Sequence, residues 1–248
     1  MLNVILYGGY DTYFMRGGYG LDWTYLLVLI GGILSLAAQA GVKSAYNKYS
    51  RIAASCGLTG ADIASQILRG AGITNVTIQH IRGSLTDNFN PSSMTLNLSD
   101  SVYGSSSIAA IAVASHECGH AIQHNEGYEP LKIRSAFFPV ANFGSRYGIY
   151  ILLLGVFLAY FQPLITIGIV LFSFGFLFQV ITLPVEFDAS RRALAILEQS
   201  GVLVGRENEA AEKVLKAAAY TYVAAAAASF LSLMRLILRY GGRGRRRG

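Results

Sequence analysis

His116-Glu117-Cys118-Gly119-His120 is an H-E-x-x-H motif, and the sequence on both sides of it is rich in Ala and Ile and free of proline. Such flanking sequence favours a buried helix. Two histidines four residues apart lie on one face of a helix, so both imidazoles can bind one zinc ion. Glu117 points toward the same ion from slightly too far to bind it well, which leaves its carboxylate free to take a proton from water. The motif therefore predicts His116 and His120 as zinc ligands and Glu117 as the catalytic base.

The composition indicates a membrane protein. The 248-residue chain is 53% hydrophobic and only 14% charged, with a mean hydropathy of +0.43. A soluble domain usually carries about a quarter charged residues. The uncharged residues are concentrated in three long runs. Segments 23–42 and 147–183 contain no charged residue, and Arg235 is the one charged residue in 217–238.

These runs predict three to four transmembrane helices. Runs of about 17–25 apolar residues span a bilayer, so we expect transmembrane helix 1 over 21–41, a tight hairpin of helices 2 and 3 over 141–183, and a fourth helix over 215–240. The alanine run of the fourth could instead form a buried helix of the enzyme core. The remaining divisions are an extracytoplasmic segment 1–20, a metalloprotease core 42–135, a helix 184–214 that carries a third zinc ligand, and a basic tail 241–248.

Basic residues predict the orientation of the chain. They cluster after the first run and on the outer sides of the hairpin, at Lys43, Lys48, Arg51, Lys132, Arg134, Arg146, Arg191, Arg192 and Arg206. Because basic loops stay inside, we expect a multi-pass protein of the cell membrane with its zinc site facing the cytoplasm. The arginines of the tail disagree, since a complete fourth crossing would place them outside. The net charge of +6 indicates that the basic residues contact the surface of the lipid bilayer, and we expect no nucleic-acid partner.

The polar part of the chain reads as a small α+β unit. Thr59 is expected to cap a helix, the alternating segments Val76–Ile81 and Met94–Ser99 predict strands, and Asp87–Ser93 has turn composition. Ser99 and Asp100 are expected to cap the motif helix. The strand that precedes this helix could form a sheet edge to which a peptide substrate adds as a further strand. A structural hairpin without substrate contact is the alternative.

A catalytic zinc ion needs three protein ligands and one open position, and the candidates for the third are His124, Glu126, Glu186 and Asp188. His124 lies about 12 Å along the helix axis from His116, too far to share the ion. The longer pattern H-E-x-x-H-x-x-G-x-x-H fails, because Gln123 stands at the glycine position. Glu186 follows directly on an apolar run, where a carboxylate has few roles besides ligation, and Pro184 is expected to begin its helix. The alternative for Glu186 is an acid favoured by the helix dipole.

Two other groups of side chains have open roles. Arg191 and Arg192 could stabilise the oxyanion of the hydrolysis reaction, or they could pair with lipid headgroups or carboxylates. Cys56 and Cys118 lie in segments expected on the cytoplasmic side, so no disulfide is expected. Helical phase turns Cys118 away from the two histidines.

Several stretches resemble known families. Glu186-Phe-Asp-Ala-Ser190 is similar to the E-x-x-A-D motif that supplies the third ligand in HtpX-type membrane metallopeptidases, except that Ser190 replaces the aspartate expected to steady a zinc-binding histidine. Longer stretches resemble the YugP-like family of bacterial membrane zinc metallopeptidases, including Tyr46–Ser50, Leu98–Tyr103, His116–His124, Pro139–Arg146 and Leu183–Leu194. The resemblance implies an α-helical membrane protein with a small α+β gluzincin-like zinc protease core, a Zn²⁺ cofactor, and peptide or membrane-protein substrates.

Two other classes of function compete with hydrolysis. A membrane scaffold or quality-control adaptor would hold a structural zinc ion with its fourth position filled, for instance by Cys118 or His124. A transporter would need several ionisable residues within its spans, and Arg235 is almost the only one here. Glycines in the spans, Gly155, Gly168 and Gly175, allow close helix contacts within one chain or between the chains of a homo-oligomer.

Overall fold

The computed structural model describes residues 22–242, so the predicted segment 1–20 and positions 243–248 of the predicted tail lie outside the described residues. The described part contains six helices and three strands: α1 (Tyr25–Tyr49), α2 (Gly60–Gly70), β1 (Thr77–Ile81), β2 (Asn88–Asn90), β3 (Thr95–Ser99), α3 (Ile108–Asn125), α4 (Glu129–Phe157), α5 (Gln162–Gln199) and α6 (Arg206–Tyr240). Helices α1, α4, α5 and α6 are long and apolar enough to cross a membrane, with 25, 29, 38 and 35 residues. The predicted class, a helical membrane protein with a small α+β core, is confirmed.

Helices α4 and α5 form the predicted tight hairpin. The turn between them places Ala159 and Tyr160 at positive φ angles of 55° and 61°. Glycines bring the two helices into close contact: a Cβ atom on Gly148 would lie 2.6 Å from the backbone nitrogen of Phe172. The three glycines singled out in the sequence also pack inside the hairpin, Gly155 on Ile165, Gly168 on Leu152 and Gly175 on Ser145. Their contacts are therefore within one chain, and a homo-oligomer stays a prediction.

Helix α6 runs antiparallel to α1 along the whole bundle. The two helices touch where a Cβ atom on Gly31 would lie 2.9 Å from Cα of Ala228. At the far end, Arg239 pairs with Asp22 at 3.2 Å, and the guanidinium of Arg235 lies 3.9 Å from the ring centroid of Tyr25. Arg235 therefore lies near the end of the bundle, where a charged side chain is least costly.

One continuous α6 serves both roles that were proposed for it as alternatives. Its first turns pack into the soluble core through Ala210, Ala211, Val214 and Leu215, and its later residues form the fourth candidate span. In the same way, α5 combines the third predicted span with the helix of Glu186. Pro184 lies inside α5, so the prediction that it begins a helix is wrong. Helices within a bundle tolerate proline when neighbouring groups satisfy the freed backbone.

The soluble core packs α2, α3 and a three-stranded sheet together, with Ile63, Leu96, Leu98 and Ile111 fully buried. The strand order is β1-β3-β2, with β1 parallel and β2 antiparallel to β3. Thr59 caps α2 through a capping box with Asp62, as predicted. The prediction that the strand before the motif helix forms a sheet edge is wrong, because β3 is the central strand. The alternative, a hairpin of the two predicted strands, is also wrong, since β1 and β3 pair in parallel and the edge strand β2 lies in the expected turn.

The start of the motif helix also differs from the prediction. Its N-cap is Ser107, whose Oγ accepts the N–H of Ala110 at 3.2 Å. Ser99 has another role, because its N–H and its hydroxyl both donate to the carboxylate of Asp87, at 2.7 and 2.9 Å. This contact ties the segment before β2 to the end of β3.

Candidate metal centre

Helices α3 and α5 bring His116, His120 and Glu186 together. The ligand atoms of these three side chains all lie within 4.8 Å of one another. Oε2 of Glu186 lies 3.4 Å from Nε2 of His116 and 3.5 Å from Nε2 of His120. Gly119 allows this approach, since a Cβ atom there would lie 2.6 Å from the carbonyl oxygen of Ala189.

The three residues fit a zinc ion. Glu186 is 2% exposed, and its Oε2 has no hydrogen-bond partner among the residues that the structure describes. Its Oε1 accepts from Nη1 of Arg134 at 3.1 Å, which holds the carboxylate in one orientation. Two imidazole nitrogens and one carboxylate oxygen form a donor set typical of catalytic zinc, with one position left for water.

Gln123 fixes the tautomer of His120. Its Nε2 donates to the carbonyl oxygen of Val185 and to Oδ2 of Asp188, both at 2.9 Å. The amide must therefore present its oxygen to Nδ1 of His120, 3.0 Å away. Nδ1 then carries the proton, and Nε2 offers its lone pair toward Glu186. Such partners orient metal-binding histidines.

Ser190 and Asp188 support the two histidines in different ways. Oγ of Ser190 lies 3.1 Å from Nδ1 of His116, in direct contact. Asp188 reaches His120 only through Gln123, and it also accepts from Arg191 and from Nε of Arg192, the latter at 2.6 Å. Among the roles left open for Arg191 and Arg192, the observed one is pairing with a carboxylate.

Glu117 lies beside the cluster, 8% exposed. Its Oε2 accepts the backbone N–H of Phe89 in β2 at 3.0 Å. Burial raises the pKa of its carboxyl above the ordinary value, and the charges of His116 and His120 oppose this shift. A raised pKa makes a carboxylate a better proton acceptor.

A cavity of about 650 Å³ opens onto the cluster. Residues of α1, α6 and the segment before β2 form its walls, among them Lys43, Tyr46, Leu85 and Tyr222. The Tyr222 side chain lies beside the Glu186 carboxylate. A second groove of about 370 Å³ begins at the other end of β2, at Pro91, Ser92 and His124. The edge strand thus connects two openings past the metal centre.

The other sequence candidates lie outside the cluster. Cys118 is buried with its Sγ 3.7 Å from the carbonyl oxygen of Ala64, and burial raises the pKa of its thiol. His124 is exposed and packs against Phe89 at 5.7 Å between ring centroids. Glu126 pairs with Arg192 at 2.6 Å. Cys56 and Cys118 are both free thiols.

Sequence reasoning missed Arg134 and Tyr222 and dismissed Gln123. In the sequence, Arg134 indicates only the orientation of the chain, although a basic residue just before a span is also well placed to contact a buried carboxylate. Tyr222 gave no signal, since one tyrosine in an alanine-rich helix is ordinary. Gln123 entered only as a departure from a longer pattern.

Comparisons with known proteins agree with this geometry. The profile of a family described as "Putative neutral zinc metallopeptidase" matches residues 24–241. The chain is 47% identical over 205 residues to the "Putative membrane protease YugP" of Bacillus subtilis (strain 168), covering 83% of this chain and 91% of that protein. No solved structure matches the chain.

Proposed function

Since the chain belongs to this neutral zinc metallopeptidase family, whose cofactor is Zn²⁺, we propose that it is a membrane zinc metalloendopeptidase. His116, His120 and Glu186 bind the ion, and Glu117 is the catalytic base. The convergence of both Nε2 atoms on the unpartnered Oε2 of Glu186 is the observation that supports this assignment most strongly.

The residues of the site have different roles in peptide hydrolysis. A zinc ion held by His116, His120 and Glu186 would lower the pKa of a bound water molecule to about 7 and would polarise the scissile carbonyl. Glu117 accepts the proton of the attacking water and delivers it to the leaving amine. Gln123 and Ser190 hold the histidines with Nε2 directed at the ion, and Arg134 holds Glu186.

Tyr222 is the residue that we assign to the oxyanion. Negative charge develops on the carbonyl oxygen during attack and requires a preorganised hydrogen-bond donor. Arg191 and Arg192 are held by Asp188, and Arg134 by Glu186. Tyr222 lines the cavity on the wall formed by α6, and its hydroxyl interacts with the Glu186 carboxylate. Once that carboxylate binds the ion, the hydroxyl can donate to a bound substrate instead.

The edge strand β2 is the surface that we assign to the substrate backbone. Its Phe89 N–H points away from β3 and donates to the Glu117 carboxylate, so the outer edge of β2, which pairs with no other described strand, faces the metal centre. A peptide paired with this edge would pass the metal centre and reach the groove at Pro91 and Ser92. Strand addition supplies main-chain hydrogen bonds without sequence specificity, which suits unfolded or membrane-protein substrates.

We assign the metal-site end of the bundle to the cytoplasm. The basic residues Lys43, Lys48, Arg51, Lys132 and Arg134 lie near this end, and basic segments stay inside. Helix α6 then ends on the opposite side, near Asp22. The tail arginines, whose charge disagrees with this assignment, lie outside the described residues.

A scaffold with a structural zinc ion is the competing class. It requires a fourth protein ligand, whereas the residues 22–242 bring only three metal-binding side chains to within 4.8 Å of one another. The open cavity beside them favours a position for water and substrate.

Hydrolysis of a fluorescein-labelled unfolded protein tests the proposal. We expect the zinc-loaded protein to cleave it, a chelator to stop cleavage and added zinc to restore it. Glu117→Gln should keep its zinc content yet lose about 10²–10⁴-fold in rate, while the exposed Glu198→Gln on α5 should match the wild type. Undiminished cleavage by Glu117→Gln would refute the base, and an inert zinc-loaded wild type would favour the scaffold.

A further inference from the structure

We propose that the metal cavity receives the juxtamembrane residues of a membrane-anchored polypeptide, which is then cut at a fixed, short distance from its own span. This inference rests on the proposed function and adds the class of substrate and the position of the scissile bond. It follows from the level of the cavity along the bundle and from the helices that form its walls.

The metal centre lies where three helices change from uncharged to charged sequence. The uncharged stretch of α1 ends at Lys43, that of α5 ends at Glu186, and that of α6 begins after Lys216. Lys43 and Glu186 line the same cavity, and Leu215, next to Lys216, lines it too. Because charged residues are costly in the hydrocarbon core, these three helices mark one boundary of the membrane at the level of the metal centre. Helix α4 departs from this pattern, since its exposed Arg146 lies further along the helix than Arg134, which contacts Glu186.

Two membrane helices form opposite walls of the cavity. The lining residues of α1 recur at helical spacing on one face, at Gln39, Val42, Lys43, Tyr46 and Asn47. Those of α6 do the same from Val214 to Tyr222. The helices touch at Gly31 and Ala228, and Gln39 lies eight positions after Gly31, about 12 Å along the helix axis. The cavity is therefore a cleft whose closed end points into the membrane.

The walls suit an apolar peptide that leaves the bilayer. Small and aliphatic side chains, Val42, Leu215, Ala218 and Ala219, line the cleft between the helices. Toward the soluble core the lining changes to Ser84, Leu85 and Asp87, which lead directly into β2 and the Phe89 N–H beside Glu117. A chain that leaves the bilayer at the level of the metal centre and enters the cleft therefore meets the edge strand directly.

This path determines the expected distance, counted in residues, between the end of the substrate's span and the scissile bond. An extended chain advances about 3.3–3.6 Å per residue, and the metal centre lies at the boundary level itself. The scissile bond should therefore fall within about five residues of the end of the substrate's span. A site reached only from the cytosol would impose no such distance.

Single-span reporters of repetitive sequence test this distance. The first joins a Leu/Ala-rich span to a 30-residue linker that repeats one short peptide, followed by a fluorescent protein, so that the same bond recurs at every distance. The second has ten further linker residues directly after the span, and the third lacks the span. Each is incubated with the zinc-loaded full chain in phosphatidylethanolamine and phosphatidylglycerol vesicles, and the cuts are mapped by mass spectrometry.

We expect both anchored reporters to be cut within about five residues of the span, and the third to be cut at least tenfold more slowly. Cuts spread evenly over the repeats, or equal rates with and without the span, would overturn this inference and leave the proposed function intact. Absence of cleavage of all three reporters and of the labelled unfolded protein would overturn the proposed function itself. Glu117→Gln controls for contaminating proteases.

Discussion

Oε1 of Gln123 lies 3.0 Å from Nδ1 of His120, and it can only accept there, because the amide nitrogen already donates to Val185 and Asp188. One buried amide thus connects the motif helix α3 to α5 and directs the lone pair of His120 Nε2 at Glu186. The amide sets both the spacing of the two helices and the protonation of a ligand.

Gln123→Leu should therefore weaken zinc binding, although Gln123 is not one of the three residues that would bind the ion. The substitution keeps a similar volume but removes three hydrogen bonds and leaves the Val185 carbonyl without this donor. Loss of such partners typically costs 10- to 100-fold in metal affinity, which competition with a chromophoric chelator would measure. Gln199→Leu, at the exposed end of α5, is the matched control, and wild-type affinity in Gln123→Leu would contradict the assigned role.

Two substitutions at Ser190 test whether this residue holds His116 in the orientation that binds zinc. Ser190→Ala removes the oxygen 3.1 Å from Nδ1 of His116, and we expect zinc affinity and kcat/KM to fall about tenfold. Ser190→Asp should restore both, since a carboxylate accepts from the same N–H more strongly. The exposed Ser200→Ala at the end of α5 should change neither. An alanine variant that matches the wild type would show that His116 needs no such partner.

The parts that could be predicted from the sequence depend on local spacing or on the cost of charge in lipid. His116 and His120 are brought together by helical periodicity, and Glu186 stood out because a carboxylate after an apolar run is expensive without a partner. The four candidate spans follow from runs of uncharged residues. None of these inferences requires knowledge of which elements touch.

The parts that could not be predicted depend on contacts between distant segments. The strand β2 is three residues long, too short for a periodic signal, and Asp87 helps to hold it through Ser99 twelve residues away. Pro184 is a helix starter by local rules, yet α5 continues through it within the bundle. Gln123 has a role only once Val185 and Asp188 lie beside it.

The glycine inside the motif is expected to be essential for bringing the ligands together. A Cβ atom on Gly119 would lie 2.6 Å from the Ala189 carbonyl oxygen, and backbone cannot yield as a flexible side chain can. Gly119→Ala should push α3 and α5 apart, lower the melting temperature and weaken zinc binding, although alanine favours helices. Gly41→Ala in α1, where a Cβ atom meets open space, should be neutral or stabilising. Equal behaviour of the two variants in thermal unfolding would refute this account.

Tyr222 and Tyr220 form a matched pair on α6. Tyr222 lines the metal cavity, whereas Tyr220 is 63% exposed and does not line it. Removal of one oxyanion donor typically costs about 10²–10³-fold in kcat, so Tyr222→Phe should lower kcat by that order. Its KM, zinc affinity and melting temperature should stay close to the wild type, because the ring and its packing remain. Tyr220→Phe should leave all four quantities unchanged. If Tyr222→Phe instead lost zinc with its activity, the hydroxyl would act on Glu186 and not on the substrate, and the oxyanion would need another donor.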